Sequence, residues 1–316
     1  MGVFARERTT GVKRLLVTGR HGFVGSSIAN HLARQRQPAW SLAEISPALD
    51  LRDSAQALAA VRAAQPDAVI HLAAQSFVPE SFRDPRTTLD VNLYGTLNLL
   101  DALRSVKFSG RLLFVGTGEI YGLVPEADLP IDERHVTAPR NPYAVSKVAA
   151  EALCYQWFAS ERMDIVLARP FNHIGAGQSD RFALSDFARQ LAGIKSGRAQ
   201  PVLSVGDIDV TRDFTAVDDV VEAYFALLDR GEPGETYNVC SGVERSVRSL
   251  LDRLIALSGI DVRVETDEAR LRKSEQRRIY GNPAKIERAT GWRVATPIDN
   301  ALAATLAYWE RQDQHG

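Results

Sequence analysis

Arg14-Leu-Leu-Val-Thr-Gly-Arg-His-Gly-Phe-Val-Gly25 carries an apolar run directly into three glycines, and a helical pattern follows from Phe23 to Arg34. The run reads as a buried strand, because it is short, continuous and closed by turn residues. Gly19, Gly22 and Gly25 therefore stand between a strand and the first turn of a helix. Glycines let the backbone approach a pyrophosphate, and a helix N-terminus offers it N–H groups and the positive end of a dipole. Gly19, Gly22, Phe23, Val24 and Gly25 are accordingly predicted to hold a dinucleotide.

Outward from this stretch, strands and helices alternate. Ala39 to Ile45, Asp67 to Ala73, Arg111 to Val115 and Asp164 to Ala168 read as strands; Ser54 to Ala64, Thr87 to Val106 and Pro142 to Glu161 read as helices. Near-continuous apolar strands separated by helices indicate a parallel sheet covered on both faces. Right-handed crossovers then give an α/β, doubly wound Rossmann sheet. After Arg169-Pro170 the regularity breaks, and the remainder predicts a smaller mixed α/β C-terminal lobe. The expected division is residues 11–171 plus 211–240 for the dinucleotide, and 172–210 plus 241–316 for a second ligand.

The formal charge of −1 gives no reason to expect nucleic acid or an anionic membrane as partner. No apolar run reaches the about 18 residues of a membrane span, and the first ten residues lack an apolar signal core, so cytoplasmic residence is the expectation. Two cysteines, Cys154 and Cys240, lie in apolar patterns and read as buried thiols. The six histidines show no metal spacing, so no metal is expected.

Chemistry concentrates in Asn141-Pro-Tyr-Ala-Val-Ser-Lys147. Tyr143 and Lys147, four apart on a helix, share one face. A phenol titrates near ~10 and each pKa unit is ~1.36 kcal/mol, so a donor acting near neutral pH needs about 4 kcal/mol of help, much of which a nearby cation can supply. At the end of the fourth strand, Gly116-Thr-Gly-Glu-Ile-Tyr-Gly122 aims Thr117 at the same pocket as a second donor to a carbonyl. Glu119 reads either as a base or as a polar turn residue. Asp50 and Leu51 read either as an adenine contact or as a turn and cap. Glu44 reads either as a ribose ligand selecting NAD over NADP or as an exposed strand end. Both cofactors, NAD(H) and NADP(H), stay open. A diphosphate in a cleft needs compensating guanidinium groups. Arg212 and Arg272, in the run Arg270-Leu-Arg-Lys-Ser-Glu-Gln-Arg-Arg278, fit that need, with a solvated basic face as the alternative. His173 reads either as a nicotinamide or sugar contact or as a loop histidine.

The glycine pattern, His71-Leu-Ala-Ala-Gln-Ser76, Tyr143 with Lys147, Ala168-Arg-Pro-Phe-Asn-His-Ile-Gly175, Arg212-Asp-Phe214 and Tyr237-Asn-Val-Cys-Ser-Gly242 together resemble the extended short-chain dehydrogenase/reductases of the NAD-dependent epimerase/dehydratase family. The similarity runs from about residue 14 to 310. It is strongest to the subgroup that reduces the 4-keto group of GDP-4-keto-6-deoxy-D-mannose, giving GDP-D-rhamnose for polysaccharide precursors. The resemblance implies Tyr143 as general acid, Lys147 as its electrostatic partner and ribose ligand, and Thr117 as third member. It places Leu72, Ala73, Ala74 and Pro170 against the cofactor, Asn172 at the substrate phosphates, Arg212 at the diphosphate or the guanosine end, and Arg272 and Glu275 at a nucleotide ribose or phosphate. The family proline beside that last pair is replaced here by Lys273-Ser274. It also implies a GDP-sugar as ligand and a homodimer built on the two long helices. A GDP-mannose 4,6-dehydratase shares Thr117, Glu119, Tyr143 and Lys147, but such enzymes carry a hydroxyl or carboxylate at the position of Gly118. A ketoreductase giving 6-deoxytalose, and a silent redox sensor, are the other readings.

Overall fold

The computed structural model describes residues 11–35, 39–270 and 276–315. The first half runs β1 (Lys13–Thr18), α1 (Phe23–Arg34), β2 (Trp40–Leu42), α2 (Ser54–Ala64), β3 (Ala68–His71), α3 (Val78–Arg83), α4 (Pro85–Leu89), α5 (Gly95–Ser105), β4 (Arg111–Val115), α6 (Pro142–Glu161) and β5 (Asp164–Pro170). The second half adds β6 (Asn172–Ile174), α7 (Ala183–Lys195), β7 (Val202–Val205), β8 (Thr211–Ala216), α8 (Val217–Arg230), β9 (Thr236–Val239), β10 (Glu244–Ser246), α9 (Val247–Ser258), β11 (Arg263–Thr266), α10 (Ala284–Thr290) and α11 (Ile298–His315).

Six parallel strands form the main sheet in the order β2-β1-β3-β4-β5-β9. The order reverses at β1, so the crevice above the carboxyl ends of β1, β3 and β4 is the ligand position of a doubly wound sheet. Alternation along each strand divides the core. Leu15, Val17, Ile70, Leu113 and Val166 face α1 and α8, while Leu16, Val69, Leu112, Phe114 and Ile165 face α2, α5 and α6. Burying each such side chain contributes about 1.5–3 kcal/mol, which is why the strands carry almost no polar residues. A three-stranded sheet, β10-β8-β6, and the pair β11-β7 build the second lobe, over a core shared by α7, α9 and α11.

Four expectations change. The segment 211–216, expected with the dinucleotide-binding portion, forms β8, which pairs with β6 and β10 instead. Its alternation buries Asp213, and that carboxylate accepts from Ser241 N, Ser241 Oγ and Gly242 N at 2.6–2.9 Å, tying β8 to the turn before β10. Conversely Ile286 on α10 and Trp292 pack in the main-sheet core. The strand expected from Ala39 to Ile45 is only Trp40–Leu42, because the chain turns at Ser46 and Pro47, and proline cannot donate to a ladder. The single helix expected from Thr87 to Val106 is broken by a π-helical turn, Asp90–Tyr94. Asn92 within that turn accepts from Gln75 N at 2.8 Å and donates to Gln75 O at 3.0 Å and Ser146 Oγ at 2.8 Å. Ser146 Oγ donates in turn to the Tyr143 carbonyl at 2.6 Å, so the turn braces the start of α6. Among the described residues no helix is long and apolar enough to cross a membrane, and no cluster of His, Cys, Asp or Glu is arranged to hold a metal.

Candidate active site

A cavity of about 1170 Å³ opens between the sheet's carboxyl edge and the second lobe. Its nucleotide end is the glycine turn. Gly19 has φ +71°, and a Cβ there would meet the Ala73 backbone N at 2.9 Å; a Cβ on Gly25 would stand 2.5 Å from the Gly19 carbonyl oxygen. Both positions require glycine for backbone to approach backbone. Helix α1 begins without a side-chain cap and without an acid in its first turn. Its orphan N–H groups thus face the cavity, the arrangement that receives a diphosphate. A dinucleotide fits this cradle: Gly19, Gly22, Phe23, Val24, Gly25, Leu72, Ala73, Ala74 and Pro170 all line the cavity. Asp50 and Leu51 do not. The Asp50 carboxylate is taken by Arg52 at 2.6 Å, and Leu51 packs in the core. Glu44 is exposed beyond the end of β2.

Thr117, Glu119, Tyr143 and Lys147 come together on the cavity floor. Thr117 follows β4, and its Oγ1 accepts from Glu119 N at 3.2 Å, capping the one-turn helix Gly118–Tyr121. Asn141 caps α6 in the same manner, through Ala144 N at 2.7 Å, so Tyr143 occupies its first turn. The Tyr143 phenol is pushed up to about 12 by burial, with a hydrogen bond from Thr117 pulling it down and the Glu119 charge pushing it up. Lys147 is buried and its Nζ donates to the Val115 carbonyl at 2.7 Å, above the Phe114 ring. Burial pushes the ammonium down to about 8, with Cys154 and Glu151 opposing. This corrects the sequence reading: the amine is held by β4, and burial outweighs anything that would make the phenol more acidic. His71 is pinned between Thr18 Oγ1 at 2.7 Å and Thr96 Oγ1 at 2.9 Å, and burial holds it neutral, down to about 3.

The far end of the cavity is polar and charged. Asn172, His173 and Arg212 line it. Arg212 donates to the Thr211 carbonyl at 2.7 Å; burial pulls its guanidinium below the usual range, while Glu119 and Asp207 support the charge. His173 stacks on Phe23 with ring centroids 5.9 Å apart, so it links the glycine turn to β6. Arg272 and Glu275 lie outside the described residues. Sequence reasoning missed the ion pairs Arg270–Asp186 and Arg189–Asp186, at 2.5 and 2.7 Å, which also line this end. The basic run containing Arg270 was the available signal; Asp186 and Arg189 sat inside an ordinary amphipathic helix and gave none. Phe77 and Phe182 meet edge to face at 6.4 Å across the cavity mouth, also without a sequence signal.

Comparison with known proteins agrees with this geometry. Residues 45–305 match the family model described as GDP-mannose 4,6 dehydratase. GDP-6-deoxy-D-mannose reductase of Pseudomonas aeruginosa is 48% identical over 298 residues, covering 94% of this chain and 97% of that one. The solved structure of RMD from Pseudomonas aeruginosa complexed with NADPH aligns with a TM-score of 0.90 at 47% identity, over 95% of this chain and 99% of the other. UDP-glucose 4-epimerase from Thermus thermophilus, solved with NAD, aligns at 0.80 and 30% identity over 94% and 98% of the two chains. The chain belongs to the GDP-mannose 4,6 dehydratase family of extended short-chain dehydrogenase/reductases.

Proposed function

We propose that this protein reduces the 4-keto group of GDP-4-keto-6-deoxy-D-mannose with NAD(P)H to give GDP-D-rhamnose. The carrying observation is that two hydroxyl-bearing residues, Thr117 and Tyr143, stand together on the floor of a cavity that has a diphosphate cradle at one end and Arg212 at the other. Gly19, Gly22, Phe23, Val24 and Gly25 hold the cofactor diphosphate, and Leu72, Ala73, Ala74 and Pro170 flank the rest of it. When bound, the nicotinamide supplies the hydride that reduces C4. Thr117 and Tyr143 donate to O4, which gathers negative charge as its carbonyl bond breaks. Tyr143 transfers its proton to O4, and the charge of Lys147, one helical turn away, stabilises the phenolate that remains. Asn172 and Arg212 hold the substrate diphosphate.

A 4,6-dehydratase is the second reading, favoured by the position of Glu119 in the cavity, 3.4 Å from Asn141 Nδ2. Gly118 opposes it. That position offers no side chain, and a Cβ there would stand 3.2 Å from the Phe171 ring. The chain works as a homodimer through α4, the π-helical turn, α5 and α6; exposed Tyr94 on that turn and exposed Val145 and Tyr155 on α6 support that reading. Incubating the purified protein with GDP-4-keto-6-deoxymannose and NADPH or NADH, and identifying the product by NMR, tests the function. GDP-rhamnose is the expected product. A 6-deoxytalose product, or turnover of GDP-mannose with NADP⁺ alone, would replace it.

A further inference from the structure

Beneath the cavity floor lies a buried ion pair that the chemistry above does not use. Glu151 stands one turn beyond Lys147 on α6, and its carboxylate meets the Arg169 guanidinium of β5 in a two-pronged contact, Oε1 to Nη2 at 2.5 Å and Oε2 to Nε at 3.0 Å. The two side chains are 14% and 8% exposed. The third guanidinium nitrogen donates to the Tyr121 hydroxyl at 2.9 Å and the Glu133 carbonyl at 3.1 Å, and the group lies over the Tyr121 ring. Arg169 is thereby fixed in one orientation, and so is the carboxylate it clamps. A buried pair of this kind is a weak source of stability, because desolvation offsets most of the attraction. Its placement is the informative part. A Cβ on Gly116 would come 3.4 Å from Glu151 Oε2, so the glycine leaves the carboxylate room directly against the backbone that joins Val115 to Thr117. Val115 supplies the carbonyl that receives Lys147 Nζ.

We propose that Glu151, clamped by Arg169, is a positioning residue that keeps the Lys147 ammonium charged and directed at the end of β4. The inference rests on the reading of Lys147 as partner of Tyr143. The groups that act on the ammonium are few. On α6 they are Cys154 and Glu151, with Tyr143 one turn before Lys147; on β4 the Phe114 ring and the Val115 carbonyl; on β3, His71. His71 is neutral, and burial raises both the Tyr143 phenol and the Cys154 thiol, so neither carries charge at neutral pH. Glu151 is the carboxylate in that set, and it counters the burial that drives the proton off Lys147.

The test is the pH dependence of kcat at saturating NADPH for Glu151→Gln, Glu151→Asp and Lys147→Met. Glu151→Gln keeps the volume and removes the charge. It is expected to move the alkaline limb about one pH unit toward acid while leaving kcat near wild type at pH 6. Glu151→Asp should fall between the two. A purely structural role would lower kcat by one factor at every pH and leave the limb in place; that result overturns the inference. Should Glu151→Gln fail to fold, an unmoved limb in Glu151→Asp has the same force. Lys147→Met keeps the two readings apart. Wild-type rate and limb in that variant would end the role of Lys147 itself, whereas an inactive Lys147→Met with an unmoved Glu151→Gln limb would end only the role of Glu151.

Discussion

Tyr143→Phe removes one oxygen and leaves the ring, so it separates proton donation from packing. The ring is 8% exposed and stays in place. Thr117 keeps Glu119 N at 3.2 Å, and its own O–H faces a cavity open to water. The expected change in stability is therefore under about 1 kcal/mol. Catalysis should respond far more. General acid catalysis is worth about 10²–10⁴-fold, which is roughly 3–5.5 kcal/mol in the barrier. The direction of the phenol's shift matters here. At about 12 the hydroxyl is fully protonated at working pH, and only an oxygen more basic than itself can take the proton. The O4 alkoxide forming as hydride arrives is such an oxygen, so burial keeps the donor loaded until the chemistry calls on it. Steady-state kcat, the Kd for NADPH from fluorescence and a thermal melt measure the three quantities. A fall of at least a hundredfold in kcat with unchanged Kd and Tm is expected. A variant within tenfold of wild type would refute the assignment of Tyr143 as proton donor.

Gly25→Ala places a methyl 2.5 Å from the Gly19 carbonyl, so it should cost about 1–3 kcal/mol and weaken NADPH at least tenfold, as read by Tm and Kd. Arg212→Ala should raise KM for the GDP-sugar by about one to two orders of magnitude with little change in kcat, the signature of lost ground-state binding. Asn92→Leu leaves Gln75 and Ser146 without their partner and should lower stability by about 3 kcal/mol in a urea melt. For Lys147 the folded pKa of about 8 lies below the ordinary 10.5, so between these values the unfolded chain binds more protons and stability rises with pH. The penalty, on the order of 3 kcal/mol, is fully present below pH 8; Lys147→Met should flatten that part of the stability profile, while wild-type kcat falls above pH 8 as the ammonium discharges.

What was legible in the sequence followed from rules that act over a few residues. The turn from β1 into α1 could be read because the glycines follow the strand at fixed spacing, and Gly25 answers to backbone contacts within its own loop. The gathering of Thr117, Tyr143 and Lys147 could be read because each follows a strand end or a cap at fixed spacing. The illegible features depend on partners distant in the chain. No local pattern marks the π-turn, since Asn92 is held by Gln75 and by Ser146, 54 residues away. Segment 211–216 resembles any short strand, and its sheet is decided by Asp213 reaching the turn at Ser241 and Gly242. The electrostatics of Tyr143 and Lys147 belong to the same class. Spacing on α6 set the pair one turn apart, but the Val115 carbonyl, which no helical periodicity encodes, decides where the ammonium goes. Burial is likewise a property of the assembled fold, and it reverses the sign of the expected shift in the phenol. A local code can thus name the atoms that react, while the proton affinities that set their order of action are fixed only once distant segments pack around them.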